Sequence, residues 1–226
     1  AIFLFADEEI LNVSKNLNNF DSLKKKILIS DYNTISVCND KKKLEQKLGK
    51  SVNFPMLKKR SEVLVKPKVG RGSKNIIILK DQNIIKSFAK SNKYIVQEFI
   101  EGKEFTIDCF FKKNADLHQL IVRERIVKKN VSIIGKIVKD NNLITIIKKI
   151  SKYLKFRGSI NFQFIKKKNK YYLLEINPRI SGSIIFSIKS RFDIIKYNIN
   201  HLNNLSIKLN KINYNKIYYR YYQTFN

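Results

Sequence analysis

Two apolar segments on either side of a charged turn constrain the fold of this chain more than any other feature. The segments 160–165 and 171–176 are short and rich in β-branched and aromatic residues, which is typical of strands. The run 166–170 between them consists of lysines and one asparagine, the composition of a solvated turn. We therefore expect the two segments to form a pair of neighbouring strands.

Polar residues interrupt the two segments at every second position. Asn161 and Gln163 share one face of the first strand, and Glu175 and Asn177 share one face of the second. If the strands pair antiparallel, four oxygen-bearing side chains converge, as Mg²⁺ requires. A half-exposed polar face would give the same pattern, but the run Glu-Ile-Asn-Pro-Arg beside apolar segments favours a site. Arg179 is then placed to hold a phosphoryl oxygen.

A glycine-rich turn joins two further strand-like segments, 62–65 and 76–79. Strand, glycine loop and strand form a hairpin, whereas Walker and Rossmann phosphate sites have a strand, a loop and a helix. Gly70 and Gly72 would let backbone N–H groups approach phosphate oxygens, and Lys66 could supply a positive charge. A glycine pair in a hairpin is more often a plain turn, so both interpretations stay open for this segment alone.

A third motif covers residues 94–104. The strand-like run 94–100 ends at a turn that carries Glu101 and Gly102, and Glu104 follows. Such a strand edge can present backbone groups to an adenine ring, while a nearby carboxylate accepts hydrogen bonds from ribose hydroxyls. The alternative is a surface loop between two strands.

The remaining pattern mixes strands and helices without strict βαβ alternation, which predicts an α+β fold. Further strand-like segments are 2–5, 26–30, 105–111 and 214–225. Helical spacing is found at 10–17, 84–93, 143–154, 186–192 and 194–205. Asp40 is an N-cap for a helix that carries Leu44 and Leu48 and ends at Gly49.

The net charge of +28 suggests a nucleic-acid or membrane-surface binder, but a second explanation is favoured. Lysine supplies 38 of the 46 cations, and isoleucine and asparagine are also abundant, as A+T-rich codons would produce. Readers of bases and phosphates tend to use arginine. A basic nucleic-acid-binding module, supported by the aromatic and basic segment 214–222, remains an alternative.

Cysteine and histidine usage excludes other classes. Cys38 and Cys109 are too few for a disulfide scaffold, and with two histidines and no Cys/His cluster a zinc site is not expected. No segment is long and apolar enough to span a membrane. His118 and His201 are interpreted as structural, and a reducing cytoplasm is the expected location.

Taken together and in this order, the motifs resemble the ATP-grasp superfamily. The likeness is greatest to its carbamoyl-phosphate-synthase-like members of the carboxylate–amine ligase type, and it extends from about residue 1 to 205. The matched segments are Cys-Asn-Asp-Lys at 38–41, Val-Lys-Pro-Lys-Val-Gly-Arg-Gly-Ser at 65–73, the run 96–108, Gly-Ser-Ile-Asn-Phe-Gln-Phe at 158–164 and Leu-Glu-Ile-Asn-Pro-Arg-Ile-Ser-Gly at 174–182.

The resemblance implies an ATP-grasp fold, in which two α+β subdomains clasp ATP. Residues 1–37 would then be the remnant of a Rossmann-like domain that normally precedes this fold. Residues 38–226 would form the ATP-grasp domain, with a lid subdomain at about 62–97 and a C-terminal subdomain at about 101–226.

The resemblance also implies a role for each residue at the site. The nucleotide-binding residues would be Lys41, Lys66, Gly70, Gly72, Ser73, Glu98, Phe99, Ile100 and Glu104. The Mg²⁺ ligands would be Gln163, Glu175 and Asn177. The catalytic residues would be Arg179, Lys66 and Arg125. Arg123 and Arg125 match a basic region near the acyl phosphate more loosely, and a structural salt bridge is an equal alternative for them.

The implied activity is that of an ATP- and Mg²⁺-dependent ligase. It would activate a carboxylate as an acyl phosphate for attack by an amine, with one or two metal ions and Mn²⁺ as a substitute. Its partners would be small-molecule carboxylate and amine substrates, and either a second copy or a separate protein that supplies the missing N-terminal half. A nucleotide-binding subunit that needs a partner for activity is the second interpretation of the same fold.

Overall fold

The computed structural model describes residues 1–19, 21–57, 62–70, 75–128 and 132–221. The helices in these ranges are α1 (Asp7–Asn16), α2 (Asp21–Lys24), α3 (Tyr32–Asn39), α4 (Lys41–Leu48), α5 (Gln82–Lys90), α6 (Asn141–Ile150), α7 (Ile184–Lys189) and α8 (Ile194–Leu202). The strands are β1 (Val63–Pro67), β2 (Ile77–Leu79), β3 (Tyr94–Glu98), β4 (Lys103–Phe111), β5 (Leu117–Lys128), β6 (Ser132–Val138), β7 (Gly158–Lys167), β8 (Lys170–Asn177) and β9 (Ile217–Tyr219).

The smaller of two antiparallel sheets has the order β2-β1-β3. Strands β1 and β2 form the hairpin predicted around the glycine-rich turn. Alternating residues of β1, Val63 and Val65, face helix α5 and pack with its Ile85. The opposite face of this sheet does not pack against α5.

The larger sheet is also antiparallel, in the order β8-β7-β4-β5-β6-β9. The predicted pairing of β7 with β8 across a charged turn is confirmed. Neither β5 nor β6 was predicted. In β5, Arg123 and Arg125 occupy positions where an apolar residue would indicate a strand. The pairing of β5 with β4 places both arginines on one face of the larger sheet, opposite the face that α4 and α6 cover.

Helices cover one face of the larger sheet fully and the other face only in part. Phe105, Ile107, Cys109 and Phe111 of β4 alternate into a core that α4 and α6 close. The intervening positions face the opposite side, where Phe110 packs under α8. The rest of that side remains open toward the smaller sheet. Both cysteines are buried and free.

The N-terminal segment packs against the rest of the chain through short contacts. The predicted strands at 2–5 and 26–30 are limited to isolated bridges, Ile2 with Ile27 and Ile29 with Gly158. Gly158 has φ +74°, and a Cβ there would lie 2.3 Å from the Leu28 carbonyl oxygen. This close approach therefore requires glycine. The Rossmann-like remnant stays a prediction.

Side-chain caps fix the start of α4, as the sequence predicted. Asp40 accepts hydrogen bonds from the backbone N–H groups of Lys42 at 2.9 Å and Lys43 at 3.1 Å. Gly49 ends the helix with φ −59°, a right-handed cap rather than the left-handed one expected of glycine. None of the helices in the described ranges is long and apolar enough to cross a membrane.

Candidate functional site

A cavity of about 720 Å³ lies between the open faces of the two sheets. Its volume is within the range of small-molecule and cofactor sites. The smaller sheet and the segments next to it contribute Leu64, Lys66, Pro67, Gly70, Ile76, Ile78, Gln97, Glu98, Phe99 and Ile100. The larger sheet contributes Glu104, Thr106, Arg125, Ser132, Asn161, Gln163, Ile165, Leu174 and Glu175. The remaining wall residues are Lys41, Pro55, Arg179, Ser181, Gly182 and Ser183.

Strand register places the polar side chains of the larger sheet in rows. Glu175, Gln163, Thr106 and Arg123 are successive cross-strand partners on β8, β7, β4 and β5. Asn161 pairs with Asn177 in the next row, as the period-two spacing predicted. The sheet thus brings together carboxylate and amide oxygens that lie far apart in the sequence.

A β-bulge on β8 aims two neighbouring residues into the cavity. Gln163 pairs with Glu175 but Phe164 pairs with Leu173, so Leu174 has no partner on β7. Leu174 and Glu175 both line the cavity, although consecutive residues of a regular strand face opposite sides. An apolar wall and a carboxylate therefore stand side by side.

The oxygen-bearing residues fit a hard divalent cation. Glu175 provides the carboxylate, Gln163 lies opposite it, and the Asn177 amide donates to Glu175 Oε1 at 3.0 Å. In the described part of the chain, no three His, Cys, Asp or Glu side chains cluster as metal ligands. This donor set suits Mg²⁺, which is commonly held by one or two carboxylates together with phosphate and water.

Lys66 is buried at the wall formed by the smaller sheet. Its side chain is buried despite its charge, with 8% of the residue exposed, and burial lowers its pKa from 10.5 to about 8. Glu175 opposes this shift, whereas Lys41 adds to it. Lys41 Nζ donates to the Gly70 carbonyl at 2.9 Å, which ties α4 to the glycine-rich segment. Lys41, Lys66 and the Glu175 carboxylate thus line the same cavity.

The segment between the sheets carries the residues matched to adenine and ribose binding. Glu98, Phe99 and Ile100 all line the cavity, and Glu98 is buried. The Phe99 N–H already donates to the Glu62 carbonyl at 2.8 Å, so this donor is engaged within the protein. Glu104 receives Arg125 Nη1 at 3.2 Å.

The two arginines of β5 have different surroundings. Arg123 is fully buried, with Nη1 at 3.1 Å from Asp108 and 2.9 Å from Ser187. Burial lowers its pKa, which the adjacent Asp108 carboxylate partly offsets. Arg123 does not line the cavity, so its ion pair with Asp108 is structural. Arg125 does line the cavity.

Arg179 is held by a residue that the sequence analysis did not select. Its Nε donates to Asp7 Oδ1 at 2.6 Å and its Nη2 to Asp7 Oδ2 at 3.3 Å. Its Nη1 donates to the Ile180 carbonyl at 3.2 Å. In the sequence Asp7 is one of three consecutive acids at the start of a helix, 172 residues before Arg179, and nothing local marks it.

The structure brings most of the predicted site residues to one cavity. Asn177 lies at a small adjoining cavity that Glu175, Lys41, Gly70 and Asp7 also line. Gly72 and Ser73 lie outside the described residues. Sequence reasoning assigned no role to Thr106, Gln97, Ser132, Ser181 and Ser183, although the first two and Ser181 lie within the matched segments. Only the alternation along β4 could have indicated Thr106.

Comparison with known proteins defines the class and then the family. A family described as "ATP-grasp in the biosynthetic pathway with Ter operon" matches residues 90–224, and this chain belongs to it. The predicted resemblance to the ATP-grasp superfamily and the predicted α+β ATP-grasp fold are thereby confirmed.

Curated relatives are similar over most of this chain. The carbamoyl phosphate synthase large chain of Clostridium perfringens is 22% identical over 198 residues, and that of Clostridium botulinum is 23% identical over 199. Each alignment covers 79% of this chain, which spans only 17% of the length of those relatives.

Solved structures share the fold at low sequence identity. The MgADP- and bicarbonate-bound biotin carboxylase domain of 2-oxoglutarate carboxylase from Hydrogenobacter thermophilus has a TM-score of 0.69 at 14% identity, over 93% of this chain and 60% of that one. The L-amino acid ligase from Bacillus licheniformis has a TM-score of 0.58 at 19% identity, over 76% and 49%.

Proposed function

We propose that this chain binds Mg-ATP and activates a carboxylate as an acyl phosphate, which an amine then attacks. The observation that carries the proposal is the single cavity in which Lys41, Lys66, Arg125 and Arg179 meet the Glu175 carboxylate between two antiparallel sheets. Four cations suit a triphosphate, and the Glu175 carboxylate suits its metal ion. The related proteins compared above are a synthase, a ligase and a carboxylase by name.

In this proposal the two walls of the cavity bind different parts of the nucleotide. Lys41, Lys66 and Gly70 bind the phosphates, Glu98 and the backbone at Phe99 and Ile100 contact adenine, and Glu104 accepts hydrogen bonds from the ribose. Leu64, Ile78 and Leu174 provide the apolar surfaces on which a planar base packs.

Glu175, Gln163 and Asn177 would hold Mg²⁺. A bound Mg²⁺ would neutralise phosphate charge and orient the γ-phosphoryl group. Arg125 Nη1 lies 3.4 Å from Gln163 Oε1, so a guanidinium already occupies one side of this amide. One lone pair of that oxygen remains for a metal ion, so in this proposal Gln163 ligates one ion and does not bridge two.

The proposed chemistry needs positioning rather than an enzyme nucleophile. A carboxylate oxygen attacks the γ-phosphorus, the bond to the β-phosphate oxygen breaks, and ADP leaves. The amine nitrogen then attacks the acyl carbon, the C–N bond forms, the C–O bond to phosphate breaks, and the amine proton leaves to solvent. Lys66 and Arg179 neutralise the charge that develops on the transferred group.

Nucleotide binding should depend on the charge of Lys66. ADP affinity is expected to fall up to about tenfold as pH rises from 7 to 9.5, because Lys66 loses its proton near its pKa of about 8. Titrations in the absence of metal measure this effect. Lys66→Met should bind weakly without the step near pH 8, whereas Lys68→Met should keep it. An unchanged step in Lys66→Met would reject the role.

The same shift has a defined sign for folding. Between about pH 8 and the ordinary pKa of 10.5, the folded chain holds fewer protons at Lys66 than the unfolded chain does. The contribution of this group to stability is therefore lowest below pH 8 and rises across that window.

The function is tested by thermal shift and by phosphate release. Mg-ATP should raise the melting temperature, and phosphate release should require both an added carboxylate and an added amine. Binding without turnover on a broad substrate panel would favour a subunit that needs a partner. A second copy as that partner remains a prediction, and the relative from Hydrogenobacter thermophilus is described as a domain dimer.

A further inference from the structure

Three buried polar atoms on residues that line the cavity have no hydrogen-bond partner in the protein. They are the Oγ atoms of Ser132 and Ser181 and the Nε atom of Arg125. Ser132 is 1% exposed and Ser181 is 7% exposed. Buried polar atoms in folded proteins are almost always paired, because an unpaired one costs free energy. Three of the six such atoms in the described ranges belong to residues that line this one cavity, which points to a ligand rather than to chance.

A hydrogen bond places Ser132 next to the segment that contains Ser181. Ser132 begins β6, and its backbone N–H donates to Ser183 Oγ at 3.2 Å, two residues from Ser181. Arg220 Nη2 donates to the Gly182 carbonyl at 2.9 Å and so fixes the same loop. Arg125 comes from β5, the strand next to β6.

The donors and acceptors of these groups select an anion. A guanidinium N–H can only donate, and each serine hydroxyl can donate one proton. Arg125 is oriented from its other end, where Nη1 contacts Glu104 and Gln163. A carboxylate can accept all three bonds, whereas an ammonium group would be repelled by Arg125 and by the nearby wall residue Arg179.

We propose that Ser132, Ser181 and Arg125 form a carboxylate-binding subsite for the small substrate. The proposal rests on the proposed function, which requires a carboxylate but leaves its binding groups undefined. A γ-phosphate has the same oxyanion chemistry. However, Lys41, Lys66 and the Glu175 metal site already suit the phosphates, so the three unpaired donors are left for the carboxylate.

Stability and binding should respond in opposite ways to removal of the hydroxyls. Ser132→Ala and Ser181→Ala delete buried groups that have no protein partner, so the free energy of unfolding should be unchanged or higher. Loss of a charge-assisted hydrogen bond should weaken carboxylate binding about tenfold for each serine and about a hundredfold for both.

The probes are ¹³C-labelled acetate, glycine, succinate and hydrogencarbonate. Each is titrated by NMR into the Mg-ADP-loaded wild-type protein, the two single variants and the double variant. Ser190→Ala is the matched control, since Ser190 is also fully buried but bonds to Tyr218 Oη at 2.9 Å outside the cavity. We expect at least one probe to bind wild type and Ser190→Ala alike and to bind the double variant far more weakly.

Four results would overturn the subsite. They are equal binding to wild type and the double variant, no binding of any probe to Mg-ADP-loaded wild type, and a marked loss of stability in both serine variants, which would show a structural role. The fourth is a selective loss of Mg-ATP affinity relative to Mg-ADP in the double variant, which would assign the donors to the γ-phosphate. Failure of Mg-ADP itself to bind wild type would instead reject the proposed function.

Discussion

Glu175→Gln is expected to lower turnover at least a hundredfold while leaving adenine-nucleotide binding largely intact. Glu175 is the only carboxylate among the proposed metal ligands, and the β-bulge at Leu174 aims it into the cavity. A glutamine has nearly the same size but no charge, so it weakens the metal site without opening a gap. The comparison of phosphate release with metal-free ADP titration separates the two effects.

The Glu175 variant needs a defined pH and a matched control. Glu175 helps to keep the pKa of Lys66 from falling further, so its loss lowers that pKa and removes positive charge above neutral pH. Measurements at pH 7 keep this second effect small. Glu124→Gln makes the same change on β5, where Glu124 pairs with Lys103 at 2.9 Å outside the cavity, and it should retain activity. Retained turnover in Glu175→Gln would contradict the assignment of Glu175 as a metal ligand.

The hairpin of β7 and β8 could be predicted because its chemistry is local. Period-two polar residues, apolar neighbours and a charged turn lie within 20 consecutive positions, and the pairing of β7 with β8 follows from them. The bulge at Leu174 could not be predicted, because it depends on how β8 pairs residue by residue with β7.

Strand β5 shows why buried charge hides structure from a sequence. It carries Arg123 and Arg125, whose side-chain partners Asp108, Ser187, Glu104 and Gln163 all lie on other elements. A pattern rule assigns such residues to the surface, whereas long-range ion pairs make their burial tolerable. The unpaired hydroxyls of Ser132 and Ser181 could not be predicted either, because no sequence pattern distinguishes such a serine from any other.

The Arg179–Asp7 pair lies beyond any motif because its partners are 172 residues apart. Arg179 was selected by its place after Asn177 and a proline, but what orients it comes from helix α1. Three of its five N–H donors are bonded to Asp7 and to the Ile180 carbonyl, so the remaining donors point in a fixed direction. Asp7 is therefore a positioning residue in the proposed mechanism.

Asp7→Asn is expected to reduce turnover by roughly ten- to a hundredfold and to lower the free energy of unfolding by about 1–3 kcal/mol. The two side chains are only 15% and 16% exposed, so the variant leaves a mostly buried guanidinium without its counter-charge. The defect should appear mainly in kcat, because Arg179 acts on the group being transferred. Phosphate release at saturating Mg-ATP and urea unfolding measure the two effects.

Two companion variants separate positioning from general destabilisation. Glu9→Gln removes a neighbouring exposed acid from the first turn of the same helix, with the same loss of favourable charge at the helix N-terminus, but it does not touch Arg179. It should keep wild-type turnover. Asp7→Glu retains the charge on a longer side chain and should recover part of the lost kcat. If Asp7→Asn proved as unstable as expected yet turned over at the wild-type rate below its melting temperature, Arg179 would not need Asp7 to act, and the pair would be structural only.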